Sequence, residues 1–305
     1  MDDAALVRPE SGPGLVFTVD FITPIVDSPE DYGAIAAANA LSDVYAMGGD
    51  PQVALAVCGF PGEPAVPLEV LSEIFRGGRD KAAEAGCAVV GGHTVLDPEM
   101  KYGLCVLGSV DPEHSLAQNR AMAGDRLVLT KPIGAGIAAQ AIKQDRLGAA
   151  QVESVVESMK RLNRGAAAAA RKASAHAATD VTGFGFLGHL HHLALAAGCR
   201  ARVDSEAVPI FDFVRDLARD GAIPGGSRKN LDYVSPHAEF DENVDETTRL
   251  VLADAQTSGG LLVAVAPEDE ARLLAELDAE ETLARAVVGE LVEGPAGSLE
   301  IGRGF

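Results

Sequence analysis

Five aspartates stand in places where an ionised carboxylate is costly unless something binds it. They lie at predicted strand ends, in turns or on an apolar helix face: Asp2, Asp3, Asp20, Asp43 and Asp180. A charge in such surroundings loses hydration that must be replaced, and Mg²⁺ typically takes one or two carboxylates together with phosphate oxygens and water. The set predicts a site for a nucleotide polyphosphate with Mg²⁺. A structural role stays open for each residue, because caps and turns are the commonest place for a single aspartate.

Three glycine-containing segments could bring backbone N–H groups near a phosphate. Gly91-Gly92-His93 follows a predicted strand, where such groups can bind an anion, although a glycine pair is also an ordinary turn. The segment 225–229 offers a turn with two cations, which fits an anion clamp and a charged surface loop equally well. Gly134-x-Gly136 partly fits the dinucleotide fingerprint, but no acidic strand end follows about 20 residues later, which disfavours a nicotinamide site. The absence of G-x-x-x-x-G-K-[ST] excludes a Walker-type ATP site.

Histidines and cysteines give weaker signals. His189, His191 and His192 crowd one predicted helix, where His189 and His192 could share a face and bind a metal, although a hydrogen-bonded helix face is the commoner role. The four cysteines contain no C-x-x-C pair and therefore indicate neither a zinc site nor a redox dithiol: Cys58, Cys87, Cys105 and Cys199. A reducing cytosol suits them.

The predicted elements explain how distant aspartates could meet. A strand over 15–20 delivers Asp20 at its end, and a helix over 29–47 begins with a Ser-Pro-Glu-Asp cap and stops at a glycine pair. Asn39 and Asp43 are four residues apart and share one face of that helix. Further strands are predicted near 88–90, 104–110, 126–130 and 261–266, and helical spacing occupies 68–85, 136–144, 151–174 and 183–197. Alternation of strands and helices predicts an α/β fold.

Length and composition set the remaining limits. A chain of 305 residues exceeds what one core usually organises, so we expect two domains, 1–113 and 114–305, divided in the polar stretch 111–125. The net charge of −20 disfavours nucleic acid and anionic membrane as partners. The sequence shows no basic leader and no run of about 20 apolar residues, which predicts a cytoplasmic protein without membrane association.

Five motifs taken together resemble selenophosphate synthetase (selenide, water dikinase). They are Asp2-Asp3-Ala4-Ala5, Thr18-Val19-Asp20-Phe21, 39–49 (NALSDVYAMGG), 179–185 (TDVTGFG) and 256–260 (QTSGG). The first three are variants of what a wider superfamily shares, which includes aminoimidazole ribonucleotide synthetase and thiamine-monophosphate kinase. The last two, with Gly91 to His93, are typical of selenophosphate synthetase. They argue against a different superfamily substrate.

The resemblance implies a reaction in which ATP, selenide and water give selenophosphate, AMP and orthophosphate. It also implies roles for residues of this sequence: Asp3, Asp43 and Asp180 hold Mg²⁺, Asp2 and Asp20 act at the nucleotide, and Gly91, Gly92 and His93 contact ATP across a dimer interface. The implied fold has an N-terminal ATP-binding and dimerisation domain, whose strands form a β-barrel with those of a partner, and a larger C-terminal α/β domain. A homodimer is expected.

One departure from the family pattern concerns the reactive loop. The family carries a Gly-rich segment with a reactive Cys or selenocysteine and a Lys before the motif that Asp2 and Asp3 occupy here, which places these residues upstream of Met1. No catalytic residue is therefore assigned in this sequence. Because Met1 adjoins the motif, we expect a native start further upstream, with an in-frame UGA codon that was read as a stop. The alternative is a truncated homologue that binds nucleotide or a partner and regulates.

Overall fold

Two β-sheets organise the protein, and the first contains five strands. The computed structural model describes residues 2–304. The strands are β1 (Ala5–Val7), β2 (Gly14–Ile22), β3 (Asp50–Phe60), β4 (Ala88–Leu96) and β5 (Lys101–Val110), and the helices that pack on them are α1 (Pro29–Ala46) and α2 (Leu68–Glu84). Their order in the sheet is β1-β2-β5-β3-β4, with β3 and β4 parallel and the other pairs antiparallel.

The second sheet has seven strands and carries most of the remaining helices. Its strands are β6 (Arg126–Leu129), β7 (Ala177–Asp180), β8 (Arg200–Asp204), β9 (Ala238–Phe240), β10 (Leu261–Val265), β11 (Ala286–Val292) and β12 (Leu299–Gly302), in the order β7-β10-β6-β11-β8-β12-β9. The helices are α3 (Ala135–Ile142), α4 (Ala149–Lys160), α5 (Arg164–Lys172), α6 (Gly185–Ala197), α7 (Val214–Arg219), α8 (Gly225–Val234), α9 (Glu246–Leu252) and α10 (Glu270–Ala279). The predicted α/β class is confirmed.

The predicted domain division falls between the two sheets. The first sheet ends at Val110 and the second begins at Arg126, so the boundary at 113/114 lies in the connecting stretch and stays a prediction. Within residues 2–304, no helix is long and apolar enough to cross a lipid bilayer.

Helix α1 is the element that joins the two halves around the site. The hydroxyl of Ser28 accepts the Asp31 N–H, and Pro29 occupies the first turn, as the sequence predicts. The helix is buried on nearly every side, which fits its Ala-rich sequence, because a helix that is apolar all round belongs inside a core. It contacts β2 and β5 of the first sheet and β7 of the second. Residues on α1 therefore face both sheets.

Alternation along β2 separates two functions of that strand. Val16 and Thr18 are buried beneath α1, whereas Phe17, Val19 and Phe21 are exposed on the opposite face of the sheet. The strand continues to Ile22, so Asp20 lies within it and not at its end as predicted. One face of the strand thus serves the interior, and the other presents an apolar surface.

Tertiary contacts change three other predicted elements. Gly91 to His93 continue β4 in parallel register with β3 and do not form a turn; a Cβ on Gly92 would collide with the carbonyl oxygen of Ala56. The predicted helix over 151–174 is broken at 161–163, where the carbonyl of Arg161 accepts the Lys131 ammonium and the Asn163 amide is bound elsewhere. The segment 225–229 is the first part of α8, because Pro224 caps a helix that buries Val234. The predicted turn there is wrong.

Candidate active site

The five aspartates singled out from the sequence line one cavity. It has a volume of about 880 Å³ and receives side chains from both halves of the chain. Asp2 and Asp3 precede β1, Asp20 lies in β2, Asp43 lies in the last turns of α1, and Asp180 ends β7. The structure therefore brings together residues that are up to 178 positions apart in the sequence.

The reactive loop expected from the family pattern cannot be placed beside this cavity. Met1, upstream of which the family's Cys or selenocysteine and Lys are expected, lies outside the described residues 2–304. The first described residue, Asp2, already lines the cavity. The expected upstream start therefore stays a prediction, and no Cys or Lys of this chain is assigned a catalytic role.

Side chains on the first sheet and α1 hold two of these carboxylates. The Thr18 hydroxyl donates to Asp43, and the Asn39 amide donates to Asp20. The carbonyl oxygen of the same Asn39 amide accepts the backbone N–H of Ser258 at 2.8 Å. Asn39 thereby connects Asp20 to the segment 256–260, which the sequence motif singled out without a role.

The two aspartates near the N-terminus are anchored to the second half of the chain. The backbone N–H of Gln118 donates to Asp2 at 2.8 Å, and its side-chain amide donates to Asp3 at 3.3 Å. The hydroxyl of Thr179, the residue before Asp180, donates to the other oxygen of Asp3 at 2.8 Å. These bonds fix the segment in front of β1 against β7.

The carboxylates repel one another in a poorly hydrated space. Burial, followed by the charge of Asp180, raises the pKa of Asp3 to about 8, and the same two causes raise the pKa of Asp43 well above its usual range. Burial raises the pKa of Asp180 to about 6, although a hydrogen bond from Ser42 acts in the opposite direction. Oδ2 of Asp180 is buried and has no hydrogen-bond partner among residues 2–304. An orphaned anionic oxygen of this kind is suited to a cation.

The donor set fits Mg²⁺ without enclosing it. Carboxylates are the hard oxygen ligands that Mg²⁺ prefers, and the free oxygen of Asp180 points to a missing partner. In the part of the chain that the structure describes, no three His, Cys, Asp or Glu side chains are placed so that they could hold one ion by themselves. Mg²⁺ seldom uses an all-protein cage and completes its shell with phosphate oxygens and water. The cavity is consistent with that mode.

The predicted residues Gly91, Gly92 and His93 do not reach this cavity. They line a separate groove of about 610 Å³ between α2 and β4, together with Arg76 and Arg79. Two strands, β5 and β3, separate β4 from β2. Three strand spacings amount to about 14 Å. Within one chain these residues are therefore remote from Asp20.

The glycine segment at 134–136 and the segment 256–260 bind each other within the chain. Oε1 of Gln256 accepts the N–H groups of Gly134 and Ala135, and Asp254 accepts those of Gly136 and Ile137. The N-terminus of α3 is therefore occupied by side chains of the protein itself. This explains the partial dinucleotide fingerprint as a structural feature.

The histidines line a second wall of the cavity and do not form a metal centre. His189 and His192 contribute to this wall with Phe184, Leu195 and Tyr233. Nε2 of His189 accepts the backbone N–H of Thr182 at 3.1 Å and is not available as a ligand. The sequence predicts this helix but not that its histidines line the cavity.

The sequence predicts no role for several polar residues of the site. Asn39 is the exception, since its spacing from Asp43 places both on one helix face. Gln118 sits in a short turn with no recognisable pattern, and Thr18 and Thr179 lie in the motifs at 18–21 and 179–185, where no role is predicted for them. Their roles depend on contacts between residues far apart in the sequence.

Comparison with known families covers nearly the whole chain. The family described as "AIR synthase related protein, N-terminal domain" matches residues 1–110, and "AIR synthase related protein, C-terminal domain" matches residues 122–302. A selenide, water dikinase from Pelobacter propionicus is 46% identical over 294 residues, which are 96% of this chain and 84% of the relative. The enzyme of the same name from Myxococcus xanthus is 46% identical over 298 residues, 97% of this chain and 84% of the relative.

Solved structures share the fold at lower identity. Thiamine-monophosphate kinase from Stenotrophomonas maltophilia superposes with a TM-score of 0.75 at 22% identity, covering 98% of this chain and 89% of that structure. A hydrogenase maturation protein, HypE, solved in complex with ATP, gives a TM-score of 0.74 at 19% identity, covering 99% of this chain and 84% of that structure. The domain matches and the two dikinase relatives identify the family: this chain belongs to the selenide, water dikinases.

Proposed function

We propose that the acidic cavity synthesises selenophosphate from ATP, selenide and water, with release of AMP and orthophosphate. The observation that carries this proposal is the convergence of five aspartates on one cavity in a chain that belongs to the selenide, water dikinases. Both outer phosphoryl groups leave the nucleotide in this reaction. A site that transfers them must hold a polyphosphate in a protein of net charge −20. That requirement explains why five carboxylates line the cavity.

The carboxylates are assigned to two tasks. Asp3, Asp43 and Asp180 would hold Mg²⁺, and Asp2 and Asp20 would act beside the nucleotide. When bound, Mg²⁺ would neutralise charge on the phosphate oxygens. The fit rests on the buried Oδ2 atom of Asp180, which has no hydrogen-bond partner among residues 2–304, and it agrees with burial raising the pKa values of Asp3, Asp43 and Asp180.

Hydrogen bonds within the chain pre-set the carboxylate orientations. Thr18 donates to Asp43, Asn39 donates to Asp20, and Thr179 and Gln118 donate to the two oxygens of Asp3. Such fixed donors reduce the ordering that substrate binding would otherwise require. Burial of the same groups strengthens their interaction with a bound cation, because the local dielectric is low.

Phosphorus NMR of the purified chain tests the reaction. With Mg²⁺, ATP and selenide under anaerobic conditions, we expect signals of selenophosphate, AMP and orthophosphate in equal amounts. ADP as the nucleotide product would indicate single phosphoryl transfer and would contradict the proposal. Absence of turnover together with ATP binding in calorimetry would support the regulatory alternative.

We also infer that the chain forms a homodimer through the outer face of its first sheet. That face exposes an apolar set of side chains: Phe17, Val19, Phe21, Val53, Leu55 and Val95. Apolar patches of this kind mark interaction sites on soluble proteins. Strand β4 lies at the edge of the sheet, and within residues 2–304 no strand pairs with its outer side. A second copy presents the same features, as an isologous interface requires.

A dimer would allow Gly91, Gly92 and His93 of one copy to contribute to the cavity of the other copy. They lie on the edge strand β4, in the groove that Arg76 and Arg79 also line. In a pair of chains joined through this sheet, the groove of one copy can approach the cavity of its partner. A role in contacting ATP across the interface rests on this arrangement, and a cytoplasmic location likewise stays a prediction.

Replacing Leu55 by glutamate should convert the dimer to a monomer. Leu55 is 46% exposed in the single chain, and burial of a charge in an apolar interface costs several kcal/mol, on the order of a 10²-fold or larger loss of association. Sedimentation at micromolar concentrations measures the change. Leu283→Glu is the matched control, because Leu283 is 44% exposed but lies outside the first sheet. Equal dimerisation of both variants would rule out this interface.

A further inference from the structure

The aromatic wall of the cavity contains a buried imidazole with one defined protonation pattern. His189 lies in the second turn of α6 and is only 7% exposed. Its Nε2 atom receives the backbone N–H of Thr182 at 3.1 Å. Because a backbone N–H can only donate, Nε2 carries no proton and the ring proton of the neutral form resides on Nδ1. Burial lowers the pKa of His189 to about 3, which agrees with a neutral ring.

The protonated nitrogen faces a hydroxyl that is already bound to the acidic site. Nδ1 of His189 lies 3.5 Å from Oγ1 of Thr179. That hydroxyl donates its own proton to Oδ1 of Asp3 at 2.8 Å. The donor-to-acceptor direction of this series of hydrogen bonds is therefore fixed by the first donor. The Thr182 N–H donates to His189, the His189 Nδ1–H donates to Thr179, and the Thr179 O–H donates to Asp3.

We propose that His189 is a positioning residue that orients the Thr179 hydroxyl toward Asp3 and thereby prepares Asp3 to bind a divalent cation. The proposal rests on the role of Asp3 as a metal ligand in the proposed function. With the acceptor lone pair of Thr179 engaged by the imidazole, its proton is committed to one oxygen of Asp3. Partners of this outer kind typically contribute 10- to 100-fold to metal affinity.

Two substitutions of His189 test the roles of its two ring nitrogens separately. The side-chain amide nitrogen of asparagine stands one bond beyond Cγ, as Nδ1 does, so His189→Asn retains a donor toward Thr179. The amide of glutamine stands two bonds beyond Cγ, as Nε2 does, so His189→Gln retains only the acceptor for Thr182. We expect Mn²⁺ affinity, measured by electron paramagnetic resonance on the purified chain without nucleotide, to fall 10- to 100-fold in His189→Gln and less than about threefold in His189→Asn. Equal losses in both variants would overturn the proposal.

A double-mutant cycle tests the route through Thr179. Thr179→Val keeps the β-branched shape and removes the hydroxyl, so it should weaken Mn²⁺ binding as much as His189→Gln does. In the Thr179→Val background, His189→Gln should add less than about twofold, because the connection is already broken. Additive losses would show that His189 acts by another route and would refute the proposal. This cycle does not use His189→Asn, so it remains informative if that variant folds poorly.

Two reference variants separate this proposal from the proposed function. His191→Gln changes a buried histidine of the same helix whose Nδ1 bonds to the Gly297 carbonyl at 2.7 Å, and it should leave Mn²⁺ affinity unchanged. Asp3→Asn should weaken Mn²⁺ binding more than His189→Gln does. If Asp3→Asn had no effect, the metal role of Asp3 would fail and the proposal with it. If Asp3→Asn weakened binding and His189→Gln did not, only the positioning role would fail.

Discussion

Replacing Asp180 by asparagine should abolish selenophosphate synthesis and at the same time stabilise the metal-free protein. Asp180 is 1% exposed, and its Oδ2 atom has no partner within the described chain. Loss of this ligand should lower kcat by more than the 10- to 100-fold typical of an outer-shell residue. Steady-state assays of AMP release at saturating Mg²⁺ and ATP measure this effect.

Asp180→Asn should stabilise the metal-free protein because the buried charge of the Asp180 carboxylate is costly. Burial raises the pKa of Asp180 to about 6, above the model-peptide value of about 3.9. A folded-state pKa above the unfolded value means that ionisation destabilises the folded state once the pH exceeds about 4, with the full cost above about 6. At pH 8 asparagine removes this cost, which is on the order of 1–3 kcal/mol. Urea unfolding without divalent cations measures it.

Asp204→Asn provides a matched control for both measurements. Asp204 also ends a strand of the second sheet, but its carboxylate accepts the N–H of Glu206 at 3.0 Å and does not line the cavity. This variant should retain activity and show no stability gain at pH 8. An active Asp180→Asn enzyme would refute the assignment of Asp180, whatever its stability.

The parts of the site that local sequence encodes were predictable. The cap at Ser28 and Pro29 marks the start of α1, and the spacing of Asn39 and Asp43 places both on one face of that helix. The sequence predicts Asp20 as a site residue, although the strand runs two residues past it. These features depend on neighbours within a few residues, which is the range over which propensity and periodicity act.

The parts that depend on tertiary contacts were not predictable. The segment 225–229 has the composition of a turn, but packing of Val234 makes it helical. Gln118 binds Asp2 and Asp3 from positions 116 and 115 residues further along the chain. The sequence predicts His189 as a possible metal ligand, yet its Nε2 atom accepts the backbone N–H of Thr182. No periodic signal encodes such contacts.

Side chains of the protein itself bind the free N–H groups at the N-terminus of α3. Four successive N–H groups, which helix geometry leaves unpaired, are accepted by Gln256 and Asp254. Oδ2 of Asp254 takes two of them and also the Gln256 amide at 3.1 Å, while Oδ1 accepts the Ser227 hydroxyl at 2.6 Å. Because Gln256 and Thr257 line the acidic cavity, this cluster also supports the site.

Asp254→Ala should therefore cost about 3–5 kcal/mol of unfolding free energy, because it leaves several buried donors without an acceptor. Asp254→Asn should cost about 1 kcal/mol or less at pH 8. Its oxygen can replace Oδ2 for the three donors that share that atom, and its amide can donate to Ser227, whose hydroxyl also accepts. Urea unfolding of both variants beside the parent chain measures the difference.

The pH dependence of the unfolding free energies of Asp254→Asn and the parent chain tests the physical cause. Burial raises the pKa of Asp254 to about 6, so the folded state holds this proton more tightly than the unfolded state does. The contribution of Asp254 to stability is therefore fully present below about pH 4 and is lost as the pH rises to about 6. Asparagine has no such titration, so the stability of Asp254→Asn relative to the parent should increase by up to about 3 kcal/mol between about pH 4 and pH 7. A relative stability that fell over this range would mean that the α3 N-terminus outweighs burial and holds the carboxylate ionised.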